Sequence, residues 1–351
     1  MKGAPLDFPF TPSFPEFDRS RVKTYAMGST PSRQRVAVVI AAHKKDSGLG
    51  RSIESFRRLL ADPMDLIFVD NGSEQNLKEW VEERYRDISV IRLGENRLFC
   101  GGYNAGIHLA IERGYDFILI SNSDTEVVNP DFLQEMLLAE GRWPQAAFLG
   151  PEVFWRNPGA IQKTCLQFPS LWRSFLTWLP FRLIKGYSGK QPRRETTVEF
   201  LNGVCVLCRA EALKEVGLLD ENMGGYVEDA DWSWRASRKG WVSVFAPIPS
   251  VVHYENTTGY EPYSLKTFLL KRNTVYWYLK IGRWQSARIY ALASIVLATV
   301  KLLCAACAEK RRRHRYFLKR LVRAFQGLLR REPLGEWFGP PMGPWENENE
   351  F

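Results

Sequence analysis

With 351 residues, 45% of them apolar and 25% charged, the chain is long enough to bury a full core and too apolar to be an intrinsically disordered segment. Its net charge of +9 fits an anionic partner, but the cations are unevenly spread. Lys310-Arg311-Arg312-Arg313-His314-Arg315 is followed by Lys319, Arg320, Arg323, Arg330 and Arg331, all late in the chain behind an apolar stretch, a pattern that points to an anionic membrane surface and away from nucleic acid.

The first 33 residues are Pro-rich and aperiodic, which predicts an extended arm. MKGAPLDFPFTPSFPEF has no continuous apolar core, so a signal peptide is not expected. RVAVVIAAH (35–43) is a continuous β-branched run, the mark of a strand buried on both faces of a parallel sheet. A helix is expected over 49–60, a strand over 65–70 (DLIFVD), a helix over 77–85 and a strand over 88–93 (ISVIRL). The Gly-rich FCGGYNAG (99–106) reads as a loop opening a helix over 105–113, with a strand at 116–120 (DFILI).

This alternation predicts an α/β fold with a mixed, mainly parallel central sheet, whose ligand site lies beyond the carboxyl ends of the strands. Further strands are expected at 148–154, 198–209, 242–246 and 251–254, and helices at 210–216 and 229–239, closed by Gly217 and Gly240. After Tyr263 the chain turns helical and basic. Ile289 to Ala308 is a 20-residue apolar segment containing Lys301, which fits a bilayer crossing or an interfacial, protein-packed helix. The predicted organisation is an arm (1–33), an α/β domain (34–262) and a basic, helical, membrane-associated region with its tail (263–351).

The six cysteines (100, 165, 205, 208, 304 and 307) show no disulfide-framework or zinc-site spacing and read as buried free thiols of a reducing cytoplasm. Carboxylates and amides gather at the predicted strand ends. Asp70 closes VDNGS, where it fits either ligand recognition or an Asx turn. Asp124 follows Asn122 and Ser123 in SNSDT, where a carboxylate can hold Mg²⁺ or Mn²⁺ against a diphosphate. Gly101 and Gly102 strip side chains from a stretch that could approach a nucleotide, without the G-x-G-x-x-G spacing of dinucleotide binders. EDADW (228–232) crowds three carboxylates into four positions, as a pKa-tuned base or as an acidic first helical turn.

Taken in order, VVIAAH, VDNGS, ENRLFCGGYNAG, SNSDT, FLNGVCVLCRAEALKEVGLLDE, EDADW and VVH, across residues 35–260, resemble the inverting GT-A glycosyltransferases of family 2, in particular the rhamnosyltransferase-like and galactofuranosyltransferase-like branch. The resemblance implies a GT-A fold that moves a sugar from a UDP- or dTDP-linked donor, with a rhamnose-like sugar compatible, to a hydroxyl of a glycan or lipid-linked acceptor. It makes Asp229 the general base and Asp70 the base-recognition carboxylate. Asn104 is a donor contact, and Ala42, His43, Asn71, Gly101, Gly102, Asn122, Ser123, Asn202 and Gly203 fall in the same donor region. Asp124 becomes the last position of a D-x-D metal motif that begins with Asn122, and His253 the later metal-ligating histidine. Glu228, Asp231 and Trp232 are expected near the acceptor, Trp232 by stacking on a sugar or by helix packing. Ala42-His43 stands where the family often has Tyr-Asn.

The expected location is the cytoplasmic face of a membrane, bound peripherally or monotopically, and the sequence permits self-association. Two other classes share some of these features. A metal-dependent nucleotide-sugar phosphohydrolase would use the same diphosphate site, and an inactive membrane scaffold would need only the basic helices.

Overall fold

The computed structural model describes residues 34–45, 48–156, 160–173, 191–254, 264–304 and 308–332. The arm expected over 1–33 and the tail beyond 332 lie outside them.

The Val/Ile-rich run forms β1 (Val36–Ala42), followed by α1 (Leu49–Arg57), β2 (Leu66–Asp70), α2 (Leu77–Arg84), β3 (Ser89–Arg92), α3 (Leu98–Glu112) and β4 (Phe117–Asn122). These four strands run parallel in the order β3-β2-β1-β4. Both faces of β1 and β2 are covered, so neither strand shows polar alternation: Val38, Val39, Ile40, Ile67, Phe68 and Val69 are all fully buried.

Beyond β4 come β5 (Thr125–Val127), α4 (Phe132–Arg142), β6 (Ala146–Trp155), β7 (Ile161–Gln162), β8 (Cys165–Leu166), β9 (Thr196–Val198), β10 (Phe200–Leu201) and β11 (Cys205–Arg209). Helices α5 (Ala210–Val216) and α6 (Glu228–Ser237) precede β12 (Val242–His253). The sheet continues β4-β11-β6-β12-β5, with β11 antiparallel to both its neighbours and β6 parallel to β12. It is therefore mixed and mainly parallel, as expected.

Several boundaries differ from expectation for physical reasons. The strand expected over 198–209 is broken by a turn at 202–204 into β10 and β11. The two late strands are one, β12, which absorbs its prolines through register shifts near Pro249. The Gly-rich segment is a helix from Leu98 onward, because its glycines are sites of close packing: a Cβ on Gly106 would lie 2.4 Å from Val39 Cγ1. Gly217 and Gly240 do close their helices, at φ 84° and 87°.

The C-terminal region forms α7 (Leu265–Lys280), α8 (Trp284–Leu303) and α9 (Ala308–Arg330). Phe268, Leu269, Trp277 and Tyr278 of α7 belong to the same buried cluster as Val39, Ile120 and Phe148 of the sheet, so the boundary expected at 263 marks no break in that core. Cys100, Cys165, Cys205 and Cys208 are buried free thiols, whereas Cys304 is exposed, against expectation.

Candidate active site

Because β11 runs against β4, its amino end meets the carboxyl end of β4, with Cys205 opposite Ser121. This brings the 202–204 turn to the edge of the sheet where β1, β2, β4 and β12 terminate. Asn122 N–H donates to the Val204 carbonyl (2.9 Å), and the neighbouring Gly203 N–H donates to Asp229 Oδ2 (3.0 Å). Asp229 at the start of α6 and the Asn122-Ser123-Asp124 segment thus flank one two-residue turn, which unites the predicted base with the predicted metal motif. Gly203 admits no side chain: a Cβ there would stand 2.8 Å from Asp229 Oδ1.

Burial pushes the Asp229 carboxyl up to about 7, against the pull of the Gly203 N–H. Glu228 is buried, with no hydrogen-bond partner for Oε2, and burial and the adjacent Asp229 raise its carboxyl well above the usual range. Two neighbouring carboxyls in an apolar setting cannot both ionise cheaply, so Glu228 holds its proton and Asp229 becomes the exchangeable one. A small cavity beside Asp229 is lined by Ile120, Phe148, Leu201, Gly203, Val206, Trp232 and Ser233.

The chain reaches α6 through a strained turn. Tyr226 (φ 65°) and Val227 (φ 73°) both lie in the left-handed region, which a β-branched residue rarely enters. The conformation is held from α7. Asn273 Nδ2, fully buried, donates to the carbonyls of Met223 (2.9 Å), Gly225 (2.7 Å) and Tyr226 (2.8 Å). Arg272 Nη2 donates to the carbonyls of Asn222 (3.1 Å) and Met223 (2.7 Å), and Lys280 Nζ bridges Asp220 (2.6 Å) and Asp231 (2.8 Å). Burial alone would raise the Asp220 carboxyl, but Lys280 and Asn222 outweigh it and hold it below its ordinary value.

None of these tethers was anticipated from sequence. The available signal was the polar Arg-Asn pair inside the otherwise apolar run FLLKRNTVYWY.

Of the predicted acceptor residues, Asp231 points elsewhere, whereas Trp232 lines the cavity beside Asp229. Asp231 is buried in ion pairs with Arg235 Nε (2.8 Å) and Lys280, and Trp232 packs its ring against Phe148 while Nε1 donates to the Gly217 carbonyl (2.8 Å). Helical geometry separates the two: Asp231, two residues beyond Asp229, turns to the other side of α6, whereas Trp232, three residues beyond, stays on the Asp229 side.

On the β1–β2 side, the predicted donor contacts form a self-satisfied network. Asp70 is fully buried, accepting from Ser73 N–H at Oδ1 (2.9 Å) and Lys78 N–H at Oδ2 (3.0 Å), so it adopts the turn-forming role rather than presenting a free carboxylate. Asn71 N–H donates to the Ala42 carbonyl (2.8 Å), and His43 Nδ1 donates to the Asn71 carbonyl (3.0 Å). The Asn71 side chain donates to Leu98 O (2.9 Å) and accepts from Arg97 N–H (3.0 Å).

Asn104 is likewise engaged, donating to Leu219 O (2.9 Å) and Glu221 Oε1 (3.0 Å) and accepting from Leu219 N–H (3.1 Å). Gly102 allows Asn71 to approach, since a Cβ there would lie 2.9 Å from Nδ2, and Gly101 sits against Arg97. Asn202 is half-buried, with Oδ1 accepting from Val204 N–H (3.2 Å).

Asp124 and His253 meet where β4 and β12 end. His253 Nε2 lies 3.1 Å from Asp124 Oδ1, its Nδ1 lies 2.8 Å from Gln162 Oε1, and Trp155 stacks on the ring. With Nδ1–H donating to Gln162, a neutral imidazole turns a lone pair at the carboxylate, and two facing acceptors need a proton or a cation between them. A histidine fixed through its other nitrogen is also the usual surrounding of a metal ligand. The donor set therefore fits a hard or borderline divalent cation. Among the described residues no third His, Cys, Asp or Glu joins the pair, so further oxygens would come from a diphosphate and water.

A mixed, mainly parallel sheet with an acidic helix start and a carboxylate–histidine pair at one edge defines a sugar-nucleotide transferase of the GT-A type. The profile of Glycosyl transferase family 2 matches residues 37–217, just over half of the chain, and the chain belongs to that family. The N-acetylglucosaminyl-diphospho-decaprenol L-rhamnosyltransferase of Mycobacterium tuberculosis is 28% identical over 291 residues, 76% of this chain and 93% of the relative. The low-salt glycan biosynthesis hexosyltransferase Agl10 of Haloferax volcanii is 22% identical over 205 residues, 58% of this chain and 62% of the relative.

Among solved structures, GalNAc-T7 with UDP, GalNAc and Mn²⁺ aligns at a TM-score of 0.49 and 16% identity, over 69% of this chain and 48% of that one. The protein is a glycosyltransferase with a nucleotide-sugar donor, similar to the rhamnosyltransferase-like branch of its family. The family favours transfer over the phosphohydrolase and scaffold alternatives.

Proposed function

We propose that the enzyme transfers a sugar with inversion, Asp229 accepting the proton of an acceptor hydroxyl as its oxygen attacks the anomeric carbon and the nucleoside diphosphate departs. The observation that carries this reading is the Asp229 carboxyl itself, poised at about 7, fixed by Gly203 N–H and separated from the Asn122–Asp124 segment by one turn. A base of that strength is half ionised near neutrality, where general-base help contributes roughly 10²- to 10⁴-fold.

Asp124 and His253 would hold Mg²⁺ or Mn²⁺, which supplies charge neutralisation for the leaving diphosphate. The Mycobacterium tuberculosis relative is named for an acceptor on decaprenyl diphosphate and for L-rhamnose. By extension, the donor is a UDP- or dTDP-linked, rhamnose-like sugar, and the acceptor a saccharide carried on lipid at the cytoplasmic face of the membrane.

Two measurements test this. NMR of the product's anomeric centre should show inversion, and retention would remove Asp229 from the base role. Calorimetric titration of nucleoside diphosphates should show affinity that rises with Mn²⁺ in the wild type and loses that dependence in Asp124→Ala and His253→Ala. An Mn²⁺ response unchanged in both variants would overturn the metal assignment.

A further inference from the structure

Helix α8 carries an apolar stripe that no part of the described protein covers. Ile289, Leu292, Val296, Val300 and Leu303 are 46–79% exposed, and their spacing of three, four, four and three residues places them on one face over about 21 Å. The opposite face, Ala287, Tyr290, Ala291, Ser294 and Ala298, is buried against α7 and α9. A contiguous exposed apolar face of this size marks an interaction surface. Its own helix carries a cation at each end of the stripe, and the packed neighbour α9 has an exposed cationic face. Arg288 precedes the stripe and Lys301 interrupts its end, both exposed. On α9, Arg312, Arg315, Lys319 and Arg330 stand exposed on one face, joined there by Arg323, which also pairs with Glu332 at 2.8 Å. The inner face of α9 buries Phe317, Leu321, Ala324, Phe325 and Leu328.

We infer that α8 lies in the plane of an anionic bilayer, with the Ile289–Leu303 stripe among the acyl chains and the cations of α8 and α9 at headgroup level. Twenty residues are long and apolar enough to span. However, one side of α8 is packed on α7, which Arg272, Asn273 and Lys280 bind to the turn before α6. A crossing would draw the basic face of α9 into hydrocarbon, whereas an in-plane position keeps every cation at the interface. A second copy of the chain fits the stripe poorly, because a two-fold contact places identical patches together and would face one basic row with its twin. Anionic lipid matches both the apolar stripe and its charged border. The inference rests on the membrane-bound acceptor proposed above and adds the surface and its orientation.

The test is flotation of the full-length protein with preformed phosphatidylcholine vesicles, with and without phosphatidylglycerol, for wild type, Leu292→Asp/Val296→Asp and Arg315→Glu/Lys319→Glu. All four positions are exposed, so folding is retained, and turnover of a water-soluble acceptor analogue verifies that in each variant. The expected result is wild-type binding only to anionic vesicles, weakened at least about tenfold by either double substitution. Variants that float like the wild type would overturn this surface while leaving membrane binding intact. A wild type that floats with neither vesicle would overturn the membrane reading as well, with the transferase reading judged separately by the soluble acceptor. A lipid-free dimer that Leu292→Asp/Val296→Asp converts to monomer would reassign the stripe to self-association.

Discussion

Asp70 and Asp229 stand at the same edge of one sheet, in opposite surroundings. Asp70 closes β2 with Oδ1 on the Ser73 N–H of its own turn and Oδ2 on the Lys78 N–H of α2, 3.7 Å from Arg92 Nε, and it is joined there by Asn71 and Asn104, whose amides are likewise paired. Asp229 receives one backbone N–H, sits beside the unpartnered oxygen of Glu228 and follows two residues with left-handed φ. The first region is stable because its polar groups are satisfied. The second is maintained by distant tethers in a state it would not choose alone, and a perturbed carboxyl in a strained, externally supported turn is where chemistry is expected.

The largest test of this contrast is Asp229→Asn, for which transfer should fall by roughly 10²- to 10⁴-fold with nucleoside diphosphate affinity unchanged by calorimetry. In the wild type, transfer should rise with pH through about 7 as the carboxyl ionises. The same variant reports the cost of the buried charge. Because the folded pKa is raised from 3.8 to about 7, the native state prefers the protonated acid, a preference present in full below the lower value and lost as pH rises through the upper one. The Tm advantage of Asp229→Asn should therefore grow across that window and level off above it. A constant Tm difference would remove the shift.

Next in size is Gly203→Ala. Its Cβ would press on Asp229 Oδ1 at 2.8 Å and on Phe99 Cζ at 3.2 Å, so displacing a reacting group by a fraction of an ångström should lower transfer by about 10²-fold, with a drop in Tm from the overpacking. Asn273→Ala should be milder in rate but visible in stability. It deprives the Gly225 and Tyr226 carbonyls of their buried donor while Met223 keeps Arg272, at about 1–3 kcal/mol by denaturant titration, and kcat should fall more than KM rises, because the tether positions the base rather than the donor. Asp70→Asn should have the smallest effect on catalysis. It turns an amide N–H towards Ser73 or Lys78 N–H and should cost about 1–3 kcal/mol of stability with donor affinity retained. A loss of donor affinity beyond tenfold would dissolve the contrast by showing that Asp70 reads the nucleotide.

The parallel half of the sheet was legible because strands buried on both faces leave unbroken runs such as VVIAA, and Gly217 and Gly240 stopped their helices as local rules require. The expected approach of Asp229 to the Asn122–Asp124 segment came from a pattern of motifs, and the fold shows how the chain brings them to one turn: β11 reverses direction and carries Gly203 to the carboxyl edge. The Gly-rich segment was misread because glycine ordinarily disfavours helix, and only the approach of Val39 and Asn71 shows why a helix needs it there. Asp231 was assigned to the acceptor because adjacency in sequence says nothing about which side of a helix a residue occupies. The tethers from α7 were invisible for a related reason. Asn273 and its three carbonyl partners are 47–50 residues apart, well beyond the range of local periodicity.

Those tethers bear on how the enzyme can be handled. A fragment ending after β12 keeps every strand and every signature motif, yet it lacks Arg272, Asn273 and Lys280, the groups that hold the Met223–Val227 turn. Such a fragment should turn over poorly and also lose stability, because Phe268, Leu269, Trp277 and Tyr278 of α7 are part of the sheet's own buried cluster, so any shortened form of this transferase has to keep α7.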